Sequence, residues 1–178
     1  YLLYETEIRE KDAQIAALQS KINPHFLYNT LGSISMYAEM EGNREIITMA
    51  NNLSKLLRYS LSGRKEHVTL KDELDHVVGY MKIQQMRYEE RITFDMQIEP
   101  SVLDCKVIPL MIQPLVENSI NHALDKGVGE GRISLAATQE NNVLTITVED
   151  DGIGMNAESL ESLRSHLRNT TDLGGQSG

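Results

Sequence analysis

Cysteine is almost missing from this sequence: Cys105 stands alone among 178 residues, so no internal disulfide can form. No Cys/His cluster has the spacing of a zinc site, and a reducing compartment is the natural reading. Nowhere do about 18 apolar residues run together, so no stretch reads as a bilayer-spanning helix. Basic residues are scarce, 17 against 26 acidic ones, and the resulting formal charge of −9 argues against nucleic acid and anionic membrane surfaces as partners. The chain begins at Tyr1 without a signal-peptide pattern, which predicts a soluble piece of a longer protein. What is present is globular in kind: 40% hydrophobic and 24% charged residues, enough for one ordinary domain or two small ones.

The first third is helical in pattern. Ile8, Ile15, Ile22 and Asn29 fall at heptad spacing with Leu18, His25 and Gly32 interleaved, a stripe suited to pairing helices. After the turn signal Glu41-Gly42-Asn43, a second helix is expected from about Arg44 to Leu61, with Ile46, Met49, Leu53, Leu56 and Leu57 on one side. The antiparallel hairpin would leave its stripe uncovered, so two chains are expected to pair as a four-helix bundle; packing within one chain is the alternative. Ser62-Gly63-Arg64-Lys65 marks a boundary, giving a helical region at 1–66 and a second region at 67–178.

The second region mixes periods. Thr69 and Asp72 form a capping box opening a helix to about Glu90, and Ile92, Phe94, Met96 and Ile98 alternate as a half-buried strand does. Val107 and Ile108 lead through Pro109 into a helix to about Leu124. Strands at Ile133 to Ala137 and at Leu144, Ile146 and Val148 meet at Glu140-Asn141-Asn142, and a helix follows from Ala157 to Leu167. The fold class is α+β: a helical hairpin, then a layer of helices covering one face of a mixed sheet.

Three segments have the residue types for chemistry. In Ile22-Asn23-Pro24-His25-Phe26-Leu27-Tyr28-Asn29, Pro24 either kinks one long helix or starts a new one with Asn23 as N-cap. A neutral imidazole is a good nucleophile, and Asn29 one turn on can hold the ring; a histidine in a bundle seam reads the same way. In Leu110-Met111-Ile112-Gln113-Pro114-Leu115-Val116-Glu117-Asn118-Ser119-Ile120-Asn121-His122, Ile112, Val116, Ile120 and Ala123 make an apolar face. Asn118, Asn121, His122 and Asp125 gather opposite, as amides around a hard cation or a phosphate chain would, or as an ordinary solvated face would. In Val148-Glu149-Asp150-Asp151-Gly152-Ile153-Gly154-Met155, Asp150 is an acceptor beside backbone without side chains, open to a flat heterocycle with an exocyclic amine. A strand-ending turn has the same look. Gly127-Val128-Gly129-Glu130-Gly131 lacks the dinucleotide-binding spacing and reads as a flexible loop.

In order and spacing the three segments resemble the sensor histidine kinases of the LytS/YesM type, whose H-box has the form I-N-P-H-F-L-Y-N, N-box Q-P-L-V-E-N and G1 box D-x-G-x-G. The stretches Leu56-Leu57-Arg58-Tyr59-Ser60-Leu61 and Tyr80-Met81-Lys82-Ile83-Gln84-Gln85-Met86-Arg87-Tyr88 resemble that family too, and the likeness runs over roughly residues 15 to 155. It implies a GHKL-like ATP-binding fold, with ATP and Mg²⁺ as the small molecules. His25 would be the phosphoacceptor, with Asn29 and Glu117 in the catalytic set and Asn118 as the magnesium ligand. Asn121 and His122 would lie on the nucleotide side, Asp150 would accept from the adenine amino group, and Gly152 and Gly154 would let the base approach. It further implies a homodimer, a response-regulator receiver domain as the separate phosphoryl acceptor, and the cytoplasmic portion of a membrane sensor anchored by upstream segments. Two departures stand out. Asn121 occupies a place where many members carry lysine, leaving Lys126 as an alternative phosphate contact, and the family's G-x-G-L-x-N lid is missing, with Gly174-Gly175-Gln176-Ser177-Gly178 read as its first residues. These departures keep a non-catalytic dimeric signalling module as the alternative; an ATP hydrolase fits least, because Pro114 stands where such relatives place a carboxylate.

Overall fold

The computed structural model describes residues 23–61, 66–89, 91–124 and 130–174. Ile8, Ile15, Leu18 and Ile22 of the heptad stripe and the boundary segment Ser62 to Lys65 lie outside the described residues. Helix α1 spans Pro24–Met40 and α2 Arg44–Leu61, joined at Gly42, whose φ of +68° suits a residue without Cβ. Asn23 caps α1, its side chain accepting from the Phe26 N–H, and Pro24 sits where a missing N–H costs nothing. The proline therefore starts a helix. The Arg58 guanidinium lies 5.2 Å from the centre of the Tyr28 ring, fastening α2 to α1 near His25.

Strand β1 (Val68–Thr69) leads into α3 (Leu70–Arg87) through the expected capping box, with Thr69 and Asp72 satisfying each other's backbone N–H. Then come β2 (Ile92–Ile98), a 3₁₀ turn at Pro100–Val102, β3 (Lys106–Val107), α4 (Gln113–Leu124), β4 (Gly131–Glu140), β5 (Val143–Asp150) and α5 (Ala157–Gly174). β1 pairs antiparallel with β3, while β2, β4 and β5 form a mixed sheet in that order, β2 parallel to β4 and β4 antiparallel to β5. Asn141 and Asn142 turn the β4–β5 hairpin with φ of 49° and 65°, the left-handed pair that matches strand twist.

Register decides which face is inside. Phe94, Ile133 and Asp150 align across the sheet, as do Leu135 with Val148 and Ala137 with Ile146. This row meets Leu74, Val77 and Met81 of α3 and Val116 and Ile120 of α4 in one core, where Val77, Ile112, Val116, Ile133 and Leu135 are fully buried. Each such side chain contributes roughly 1.5–3 kcal/mol of transfer free energy. The opposite face carries Asp95, paired with Arg132 at 2.9 Å, and stays wet. Helices on one face of a mixed sheet behind a helical hairpin is the expected architecture.

One element starts later than its sequence predicts. The helix expected from Pro109 begins at Gln113. The buried Glu73 carboxylate accepts from the N–H groups of Leu110, Met111 and Ile112 at 2.6, 3.0 and 3.3 Å, which holds Leu110 at a φ of 62°. Three charge-assisted bonds, about 1.5–3 kcal/mol each, outweigh the 1–2 kcal/mol or so of a left-handed leucine.

Candidate phosphotransfer site

His25 occupies the first turn of α1 and is exposed. The Asn29 side-chain amide lies 3.2 Å from His25 Nδ1, one turn along the same face, as the four-residue spacing requires. The amide nitrogen faces Nδ1, so Nδ1 accepts and the neutral ring carries its proton on Nε2; with the amide turned about, its carbonyl would hold an Nδ1 proton and leave the Nε2 lone pair free. The first turn of α1 contains no acidic residue, so a proton leaving this ring must find its acceptor elsewhere.

Helix α4 presents the second group. Ile112, Val116, Ile120 and Ala123 are all buried, as the apolar period requires. Asn118 and Asn121 face solvent, His122 is half-buried, and Asp125 and Lys126 lie outside the described residues. Glu117 is half-buried and its Oε1 accepts from Gln113 Nε2 at 2.6 Å. Its field, together with burial as the larger cause, pushes the Tyr80 hydroxyl up to about 12.

The third group sits at the end of β5. Because Asp150 pairs with Ile133, its side chain lies on the helix-covered face, whereas Asp151 turns away and caps β4 through the Arg132 N–H. Asp150 Oδ1 accepts from the Gly152 N–H at 2.9 Å, leaving the second oxygen for a ligand donor. Gly152 and Gly154 have different reasons to be glycine. A Cβ at 152 would lie 2.7 Å from the His122 carbonyl oxygen and 2.5 Å from Asp150 Oδ1, so this residue is the contact between the β5 end and the last turn of α4. Gly154 has open space around it and a φ of +68°. The close approach at 152 joins the second and third groups.

The donor chemistry suits a nucleotide and its cation. Among the described residues no cluster of three or more His, Cys, Asp or Glu could hold a metal unaided. An exposed amide on α4 fits a magnesium ion, which usually keeps waters and borrows phosphate oxygens. His122, Asp150, Gly152 and Gly154 form a junction on which a base with an exocyclic amine can rest.

Sequence reasoning missed Glu73. Its carboxylate also accepts the Tyr59 hydroxyl at 2.5 Å, and Tyr59 stacks on His76 with ring centres 4.4 Å apart. Burial, then the neighbouring Glu73, raises the Tyr59 hydroxyl well above its usual range, so it remains a donor. His76 in turn lies 2.5 Å from Gln113 Oε1. A legible signal existed: Glu73 falls on the stripe of Leu70, Leu74, Val77 and Met81, an acid on the buried side of a helix.

An exposed histidine at the mouth of a helical hairpin, followed by an α+β layer with an amide-bearing helix and a strand-end aspartate, is the class of arrangement suited to nucleotide-dependent phosphotransfer. Residues 13–92 match the family profile described as histidine kinase, and residues 106–178 the one described as histidine kinase-, DNA gyrase B-, and HSP90-like ATPase. The chain belongs to the sensor histidine kinases of the LytS/YesM type. It is 41% identical to the sensor histidine kinase YesM of Bacillus subtilis over 89% of this chain and 27% of that protein. It is 35% identical to the sensor histidine kinase YpdA of Escherichia coli, over 86% of this chain and 27% of that one. For the sensor protein LytS of Staphylococcus epidermidis the identity is 33%, over 86% and 26%. The chain thus spans about a quarter of the length of these relatives. Among solved structures, it resembles a histidine kinase domain from an Erythrobacter litoralis blue-light activated kinase at 19% identity, covering 86% of this chain and 75% of that one, with a TM-score of 0.40.

Proposed function

We propose that this chain is the phosphotransfer core of a two-component sensor, which autophosphorylates His25 from ATP and passes the phosphoryl group to an aspartate on a response-regulator receiver domain. The observation that carries this reading is His25 itself: exposed, in the first turn of α1, with one ring nitrogen engaged by Asn29 and the other open. Nε2 forms the N–P bond as the bond to the β,γ-bridging oxygen breaks and ADP leaves. Asn29 fixes the ring and, once its amide turns so that the carbonyl rather than the NH₂ faces Nδ1, holds the Nδ1 proton during attack. Glu117, the only carboxylate on α4, is the candidate acceptor for the proton the ring releases. The α1 N-terminus adds orphan N–H groups and a positive dipole end beside the incoming anion.

Asn118 would hold Mg²⁺, which neutralises charge developing on the transferred phosphoryl group. Asp150 would accept from the adenine amino group, with Gly152 and Gly154 against the base and Asn121 and His122 toward the phosphates. We further infer two functional regions, 1–66 for dimerisation and phosphoacceptance and 67–178 for nucleotide. The protein would be a homodimer forming the cytoplasmic portion of a membrane sensor; no helix among the described residues is long and apolar enough to cross a membrane.

Incubation with γ-labelled ATP and Mg²⁺ tests the reading. Wild-type protein should acquire an acid-labile label and His25→Ala none. Label retained in that variant removes His25 from the mechanism, and calorimetry showing no Mg·ATP binding in the wild type would leave the non-catalytic module.

A further inference from the structure

The bonds around Glu73 and His76 connect three elements: the end of α2, the buried side of α3 and the start of α4. Glu117, when ionised, can only accept, so Gln113 must turn its NH₂ toward it, 2.6 Å away. The Gln113 carbonyl oxygen then faces His76 Nε2 at 2.5 Å, and that nitrogen must carry a proton. His76 is only 6% exposed and lies flat against the Tyr59 ring, with 27° between the planes. Tyr59 donates to Glu73, and Glu73 fixes the turn from which α4 departs. Every hydrogen bond in this run has a defined direction, and it ends on Glu117, beside the candidate metal ligand Asn118.

We propose that His76 is a positioning residue for phosphoryl transfer: it orders Gln113, and through it the Glu117 carboxylate, while the stacked Tyr59 ring ties that order to the end of the helical hairpin. The inference rests on Glu117 having the role given above. It explains why a polar ring occupies the buried side of α3, where an apolar residue would pack as well. It also gives the hairpin a physical hold on the nucleotide side. A rotation of α2 moves Tyr59, the stack moves His76, and the amide that aims Glu117 follows.

The test compares His76→Gln, whose amide can donate as Nε2 does, with His76→Leu, which fills similar space without a donor. In nucleotide-free protein, the Gln113 side-chain amide protons should exchange several-fold faster in His76→Leu and at the wild-type rate in His76→Gln. With γ-labelled ATP and Mg²⁺, His76→Leu should slow autophosphorylation at saturating ATP by roughly tenfold or more, a misplacement effect, with KM for ATP within about twofold. His76→Gln should recover most of that rate, and His76→Leu should add nothing in a Glu117→Gln background. Equal loss in both His76 variants, unchanged Gln113 exchange, or effects that multiply with Glu117→Gln would overturn the proposal. A wild-type chain without label would instead count against the kinase reading, and the exchange measurement would still decide the hydrogen-bond run.

Discussion

Glu73 gathers four donors on one buried carboxylate, three backbone N–H groups and the Tyr59 hydroxyl. Removing it leaves those donors without their acceptor, one of them buried and three part-buried, at about 1–3 kcal/mol for each that water does not re-pair. Glu73→Ala should therefore destabilise the fold by about 3 kcal/mol or more in denaturant unfolding, and Glu73→Gln by less, since one carbonyl oxygen survives. A loss below about 1 kcal/mol for the alanine variant would mean the 110–112 turn stands without its anchor. Legibility at this scale followed chemistry rather than burial. His25, Asn29, Asn118 and Asp150 sit in strings whose residue types suggested the roles proposed for them. Glu73 and His76 sit in a helix, where an acid near the N-terminus reads as a favourable first-turn charge and nothing local reveals the carboxylate's distant partners.

Periodicity foretold most elements to within a few residues, because α3, β2, β4 and β5 each turn one face to the core, while α2 keeps its apolar residues in a stripe that is largely exposed in the single chain. The start of α4 was misjudged because the deciding interaction comes from 37 to 39 residues away. The segment after β5 was half-legible: its glycines read as an opening for a base, whereas Gly152 is also the point where strand end and helix end touch. Gly152→Ala would drive a Cβ to 2.7 Å from the His122 carbonyl oxygen, a backbone atom that cannot swing aside. Gly154→Ala meets no atoms and bears only its left-handed φ, about 1–2 kcal/mol. The first substitution should lower the melting temperature more than the second, and should weaken Mg·ATP binding by calorimetry because it parts Asp150 from α4. Equal melting temperatures would show that the strand end yields freely.

At the scale of the whole molecule, the hairpin carries more outward apolar surface than a lone chain requires. Ile34 and Met40 on α1 and Ile46, Met49 and Leu53 on α2 are each more than a third exposed, while the α+β layer buries its own stripe well. Single exposed apolar residues are ordinary; a run of them along two packed helices is the surface that the second copy proposed above would cover. A homodimer through this face would bring two copies of His25 and two nucleotide sites into one assembly. Burial of Leu53 at such an interface is worth roughly 1.5–3 kcal/mol, and a lysine there would add the cost of its charge. Leu53→Lys should therefore raise the dimer dissociation constant by tenfold or more, about 1.4 kcal/mol per decade, in sedimentation equilibrium. Lys71→Glu, a charge reversal on an exposed residue of α3, should leave it unchanged. If Leu53→Lys associates as tightly as the wild type, the chains meet elsewhere, and the outward stripe of α2 belongs to some other contact.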